Sequence, residues 1–459
     1  MQGATGAPVA CRFGFRQRRK RMCTSARYLI RIVLLLSIPC GLFSANWPQW
    51  RGPSADGVSD EKGLPVQWGP ELNILWKSQL PGLGTSTPIV WGDQVFVTSQ
   101  IGEGPRDPNS KDFADATTAR KSGSEGGKVQ FVVQSFARTT GRLRWSYRLN
   151  SEGDLPPTHI KHNLASPSCV TDGKLVYAWF GTGQIVALTM EGKLAWGRHI
   201  GKEYAPFQIL WGHGSSPFLY KDTLLLLCEH PAGAYLLALD KTTGKERWKS
   251  ERGRDSRSYT TPFLVAGEKR DELIINTTPH LEAVDPGNGK VLWYAGELDR
   301  VPVPSPVYHD GVVYASRGNF GSPYMAVRIG GDGDVSSTHV RWEIKSGAPY
   351  VSSLLYYQGL LYMATENGIV SCIDPANGET IWKDRLGGVF TASPVAAEGH
   401  IYLVNEAGDA FVLEAGKEKK ILAHNTIPER TLASPAISHG QIFLRTDEHL
   451  IAIGLRRIK

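Results

Sequence analysis

The chain repeats one short turn-and-strand pattern at least five times, and few architectures can use such a pattern. It is clearest as Asp285-Pro-Gly-Asn-Gly289-Lys-Val-Leu-Trp293, Asp374-Pro-Ala-Asn-Gly378-Glu-Thr-Ile-Trp382 and Asp240-Lys-Thr-Thr-Gly244-Lys-Glu-Arg-Trp248. Looser copies end in Trp145 and Trp196. A carboxylate opens a tight turn, a glycine supplies positive φ, and a tryptophan follows in the next strand. Residues so placed join two antiparallel strands. Self-similarity on this scale has to be read before length or composition.

Each copy is preceded by a fixed series. A Ser/Thr-led pair opens an apolar strand, a turn and a second strand follow, and a third strand runs into the Asp-x-x-x-Gly turn. The openings are Thr87-Pro88, Ser166-Pro167, Ser216-Pro217, Thr261-Pro262, Ser305-Pro306, Ser353-Leu354, Ser393-Pro394 and Ser434-Pro435. Proline is tolerated at the first residue of a strand. Four short strands per unit, at a period of roughly 40–50 residues, predict propeller blades. The final-strand tryptophans are Trp145, Trp196, Trp248, Trp293, Trp342 and Trp382, with Ile421-Leu422 standing in for the seventh. The eighth unit stops after its third strand at Ile451-Ala-Ile453, and Asn73-Ile-Leu-Trp76 supplies the missing strand from the other end. The expectation is an all-β, eight-bladed propeller of four-stranded antiparallel blades, closed by its N-terminal strand. It occupies residues 73–459 as a single ring and needs no second copy, so the chain is expected to be a monomer.

Ahead of the ring, residues 1–45 carry eight Arg/Lys and no Asp or Glu, then the apolar run Ile32 to Ile38 and small residues at Ser44-Ala45. That order reads as a secretory signal peptide, with Met1 or Met22 as the start. The run is short for a bilayer span, so no transmembrane segment is expected in the mature chain. Export places the protein in the periplasm or cell envelope. The whole chain is +7, but without the leader 43 basic residues face 44 acidic ones. The basic character therefore belongs to the leader, and no nucleic-acid partner is implied. Cys169, Cys228 and Cys372 remain, widely spaced and odd in number, and read as buried small residues. Residues 46–72, with Trp47, Trp50 and Trp68, read as an irregular arm packing on the propeller.

The repeat resembles the pyrroloquinoline quinone (PQQ) repeat family over residues 73–453. That family includes eight-bladed quinoprotein dehydrogenases and the non-catalytic periplasmic propellers of outer-membrane protein assembly, which are nearest in type. The resemblance implies that Trp76, Trp145, Trp196, Trp248, Trp293, Trp342 and Trp382 dock blade on blade. For the dehydrogenases it also implies quinone held between a Trp and a disulfide of adjacent cysteines, with Ca²⁺ alongside and an Asp as base. This sequence has no Cys-Cys pair. The leading expectation is therefore a binding or scaffold module without catalytic activity and with no cofactor, facing an envelope protein, peptide or glycan. The alternative is a PQQ- and Ca²⁺-dependent dehydrogenase acting on an alcohol or sugar.

In a propeller, the loops between blades and those joining second to third strands gather on one face. Here they bring His159, His162, Trp211, His213, Tyr259, Arg317 and Tyr350 to the channel mouth as candidate binding residues. Lys161, Glu229-His230, His280, Asn319-Phe320, Glu366 and Asn405-Glu406 belong to the same loops, and the polar insertion 101–128 overhangs them. His159, His162 and His213 sit on adjacent loops and are the candidates for a metal, although the expectation is no metal. No acid/base pair, phosphate loop or nucleophile elbow is evident, so no catalytic residue is nominated.

Overall fold

The computed structural model describes residues 46–105, 128–253, 256–297, 301–318 and 322–456. The leader and most of the 101–128 insertion lie outside these residues, as do Asn319 and Phe320. Eight antiparallel sheets follow one another in chain order. Blade 3 is typical, with Phe218–Tyr220, Thr223–Cys228, Tyr235–Asp240 and Glu246–Glu251 paired in sequence. Helix is confined, among the described residues, to Ile200–Glu203 and Ser336–His339. No helix among them is long and apolar enough to cross a membrane.

The turn chemistry works as the sequence requires. Asp240 Oδ1 accepts the backbone N–H of Thr242 and Thr243 at 3.1 and 2.9 Å, and Gly244, at φ +70°, closes the turn by donating to Asp240 O. That glycine is needed a second time. The ring of Trp196 from the preceding blade lies against it, and a Cβ at Gly244 would stand 2.6 Å from that ring. The indole N–H then bonds the neighbouring turn. Trp76, Trp145, Trp196, Trp342 and Trp382 donate to carbonyls of the next blade at 2.7–3.1 Å. Trp76, Trp145, Trp196 and Trp342 thus close on Gly141, Gly192, Gly244 and Gly378, partners that lack a side chain.

Two blades depart from the rule. Blade 5 replaces the turn by Gly330-Gly331-Asp332-Gly333, and Gly333–Asp334 instead adds a parallel fifth strand to Val291–Ala295 of blade 4. Trp293 consequently bonds Glu272 of its own blade at 2.8 Å, while its ring still packs among blade 5 residues such as Val313 and Met325. In blade 7 the register corrects the expectation for Ile421-Leu422. Val412 pairs with Ala423 just as Cys372 pairs with Trp382, so Ala423 holds the tryptophan position and Ile421 is exposed.

Closure follows the expected route. Ile74–Gln79 pairs antiparallel with His449–Gly454, with Trp76 opposite Ala452, and completes blade 8. A closed ring leaves no blade open on its inner or lateral sides. The three cysteines are free and buried. Cys372 fills the small third-strand position beneath Trp382, where other blades have Ser135, Ala187, Ala238, Ala283, Ala326 and Ala452.

Candidate functional site

The inner strands wall the axis with a ladder of hydroxyls. The backbone N–H of Thr87, Ser168, Ser216, Thr261, Ser305, Ser353 and Ser393 each donates to the hydroxyl of the next blade at 2.9–3.0 Å. The ladder ends on Ser434, and the Thr87 hydroxyl that would complete the circle is buried without a partner. In blade 2 the rung is Ser168 rather than the expected Ser166. The Ser166 hydroxyl instead bonds Asn163 O at 2.7 Å and lies 3.0 Å from His162 Nδ1.

Residues 46–60 close the end of the channel opposite the mouth. Trp47 pairs with Val90 of blade 1, and Pro48 O accepts the Thr171 N–H of blade 2. Arg51 Nη2 donates to Leu354 O of blade 6 at 2.7 Å, and Val58–Ser59 runs parallel to Val395–Ala397 of blade 7. Contacts on blades 2 and 6, which oppose each other in a ring of eight, carry this segment across the axis. Gly52 permits the crossing, because a Cβ there would meet the Trp47 ring at 2.9 Å. Arg51 is fully buried and bonded to carbonyls, and desolvation lowers its pKa to about 10 despite nearby Asp56.

What remains is a blind cavity of about 510 Å³. Trp50 reaches it from the arm side, the hydroxyl ladder forms its wall, and the mouth loops form its roof. The roof is built from side-chain contacts. His159 meets Trp211 edge to face with ring centres 5.6 Å apart, and Trp211 meets Tyr350 in the same way at 6.4 Å. Tyr259 donates its hydroxyl to Leu210 O. Trp211 holds φ +76°, in the left-handed region that L-residues rarely adopt. Gly212 beside it lets the loop lie against Thr158 and His162, where a Cβ would stand 2.8 and 2.9 Å from them. From opposite sides of the mouth, Lys161 Nζ bonds both carboxylate oxygens of Glu406 at 3.0 Å, and Thr391 also donates to Glu406. Burial raises the pKa of both Tyr259 and Tyr350; nearby Tyr350 adds to the rise at Tyr259 and nearby Glu366 to that at Tyr350, so both phenols stay protonated.

His159, His162, Trp211, Tyr259 and Tyr350 therefore line one cavity. His213 and Arg317 do not. His213 lies behind the wall, 1% exposed, between Trp179 and Phe207 at 4.2 and 5.0 Å. Desolvation, then His230 and His162, lower its pKa to about 3, so it is neutral. Arg317 is buried between blades on Asn276 Oδ1 and Pro279 O, and desolvation lowers its pKa to about 9. The three candidate imidazoles do not converge. His162 Nε2 faces His213 O at 3.1 Å, His213 Nε2 faces Ser215 O, and His159 Nδ1 accepts the Lys161 N–H. Among the described residues no three His, Cys, Asp or Glu are grouped to hold a metal ion. Trp50 is the cavity residue that the sequence assigned to packing. The available signal was the aromatic density of Trp47-Pro-Gln-Trp50-Arg-Gly-Pro53, which no repeat position explains.

An eight-bladed propeller with turn-docked tryptophans defines the PQQ-repeat class. The chain belongs to the family described as "Outer membrane protein assembly factor BamB", whose profile matches residues 72–205, 129–365 and 366–456. It is 24% identical over 358 residues to the tetrathionate hydrolase of Acidithiobacillus ferrooxidans, covering 72% of this chain and 65% of that protein. It is 22% identical over 309 residues to BamB of Yersinia pestis, covering 62% and 72%. The chain spans less than two thirds of that hydrolase. Among solved structures, BamB from Moraxella catarrhalis superposes with a TM-score of 0.54 at 13% identity, covering 83% of this chain and 99% of that one. Quinohemoprotein alcohol dehydrogenase from Comamonas testosteroni superposes with a TM-score of 0.63 at 11% identity, covering 90% and 82%. At such identities the likeness is one of fold.

Proposed function

We propose that the protein is an exported binding module of the cell envelope, holding a protein-borne, peptide or glycan ligand in the axial cavity rather than transforming it. The observation that carries this reading is the blind cavity itself. Its volume lies in the range of about 300–1,000 Å³ typical of ligand sites, with aromatic side chains at both ends and hydroxyls between. The named function of the BamB relatives, outer-membrane protein assembly, is compatible with an envelope partner. Export rests on the basic, then apolar, order of residues 1–45.

The dehydrogenase fold neighbour makes quinone the second reading, and the donor set does not fit it. Among the described residues the cavity carboxylates are Glu366 and Glu406. The first accepts the Tyr350 N–H at 3.2 Å, and the second is held by Lys161 and Thr391, so no acidic cluster is left to seat Ca²⁺ beside a quinone. Among the described residues the cysteines Cys169, Cys228 and Cys372 are buried singly, and the sequence has no vicinal pair to clamp a ring. We derive no step through that cofactor.

The test uses Trp211→Ala and Tyr350→Ala, read by melting temperature and by capture of purified envelope fractions. Both variants are expected to fold and to lose capture. Unaltered capture by folded variants removes the site from the cavity. Adding PQQ and Ca²⁺ is expected to give no bound-quinone absorbance, and a stoichiometric band would install the second reading.

A further inference from the structure

We propose that the axial cavity takes an uncharged, hydroxyl-rich ring, a sugar unit of a neutral glycan, seated on Trp50 and donated to by the Thr87 hydroxyl. The inference rests on the binding reading above and narrows it to one ligand chemistry. Three features of the cavity select that chemistry.

The first is the wall. Thr87, Ser168, Ser216, Thr261, Ser393 and Ser434 all line the cavity. The Ser168, Ser216, Thr261, Ser393 and Ser434 hydroxyls each accept a backbone N–H and still carry one hydrogen to donate. The Thr87 oxygen accepts nothing and donates to nothing in the protein, although the residue is 1% exposed. An unpaired buried hydroxyl is costly, and a polar ligand atom is the natural partner. This orphan is a consequence of ring closure. It sits at the seam between blades 8 and 1, where the buried Arg445 bonds Ser86 and Ser99 at 3.0 and 3.1 Å in place of the regular rung.

The second is charge. Among the described residues of the lining, Lys161 is held by Glu406, and Glu366 adds a second carboxylate. An anionic ligand would be desolvated against a carboxylate, whereas a carboxylate accepts well from a ligand hydroxyl. Tetrathionate, the dianion for which the hydrolase relative is named, fits this lining poorly.

The third is the aromatic arrangement. Trp50 stands at the closed end, and Trp211 and Tyr350 stand edge to face at the open end. Apolar ring faces cover the C–H surface of a sugar while the wall takes its hydroxyls, giving the mix of one apolar platform and several fixed polar atoms that orients a small ligand.

The experiment screens the full mature chain on an array of neutral glycans, acidic glycans and uncharged peptides, then measures the best ligand by titration calorimetry. A neutral glycan is expected to bind. Trp50→Ala should weaken it about tenfold or more, as loss of an aromatic anchor does. Thr87→Val, which keeps the shape and removes the hydroxyl, should weaken it about fivefold. Melting curves accompany both variants, and Trp50→Phe replaces Trp50→Ala if that variant fails to fold. An array with no neutral-glycan binding overturns the proposal. Binding of a peptide that depends on Trp50 overturns the sugar class, and such binding of an acidic glycan overturns the neutral one, each leaving a cavity ligand in place. Glycan binding that ignores both Trp50 and Trp211 overturns the site itself.

Discussion

Blades 6 and 7 are neighbours with the same strand order, yet they solve one packing problem in opposite ways. In blade 6, Tyr362 of the second strand, Cys372 of the third and Trp382 of the fourth lie in register, and the Tyr362 and Trp382 ring centres are 6.3 Å apart. Blade 7 has Tyr402 in the same place, but Val412 and Ala423 follow it, so the large residue is missing from the fourth strand. Trp68 of the arm fills the gap. It stacks on Tyr402 with ring centres 6.3 Å apart and packs in the same cluster as Ala423. Its backbone is tied there as well, since Trp68 N donates to Asn425 Oδ1 at 3.0 Å and Asn425 Nδ2 donates to Val66 O at 2.9 Å. The N-terminal segment 46–79 thus lends blade 7 a tryptophan, blade 8 a strand and the cavity its Trp50. Fold and candidate site share one segment, and that is why the segment has no repeat period of its own.

The comparison predicts a graded series. Removing residues 46–79 takes the borrowed tryptophan and the closing strand together, leaving blade 8 with an open edge. No soluble folded protein is expected, and a chain starting at Leu80 with an unchanged melting temperature would break the closure argument. Trp68→Ala and Trp382→Ala should each cost about 3–5 kcal/mol in urea unfolding, with the half-buried Trp382 at the lower end. A much smaller loss at Trp68 would mean that the arm merely rests on blade 7.

Ala423→Trp sharpens the point, because it restores the regular pattern where Trp68 already sits. It should destabilise the wild-type background and do so less when combined with Trp68→Ala. The coupling expected from a double-mutant cycle is about 0.5–3 kcal/mol. Strict additivity would place the two residues in separate sites. Ile421→Ala should change stability by less than about 0.5 kcal/mol, because that side chain is 42% exposed. A loss as large as that of Trp382→Ala would restore Ile421 to the docking role that the register denies it.

The site was legible in part, and the division has a physical cause. His159, His162, Trp211, Tyr259 and Tyr350 reach the cavity because propeller topology assigns whole loops to one face, and the sequence reveals which loops those are. Whether a loop residue then faces the axis or the wall depends on loop path, and loop path has no period. His213 is two residues from Trp211, but the positive φ of Trp211 and Gly212 turns the chain so that one lines the cavity and the other is buried behind it.

The sequence by itself determined the ring: the turn carboxylate, the positive-φ glycine and the tryptophan are local signals that recur with the blades, and the eight Ser/Thr-led strand openings give eight blades, closed by Asn73 to Trp76. Tertiary structure alone decided what the arm does. Trp50 and Trp68 follow no period: Trp68 stacks on Tyr402 of blade 7, and Arg51 beside Trp50 bonds Leu354 O of blade 6, 303 residues further along the chain. Contacts at such separation leave no trace in local pattern, because ring closure rather than neighbouring sequence brings them together.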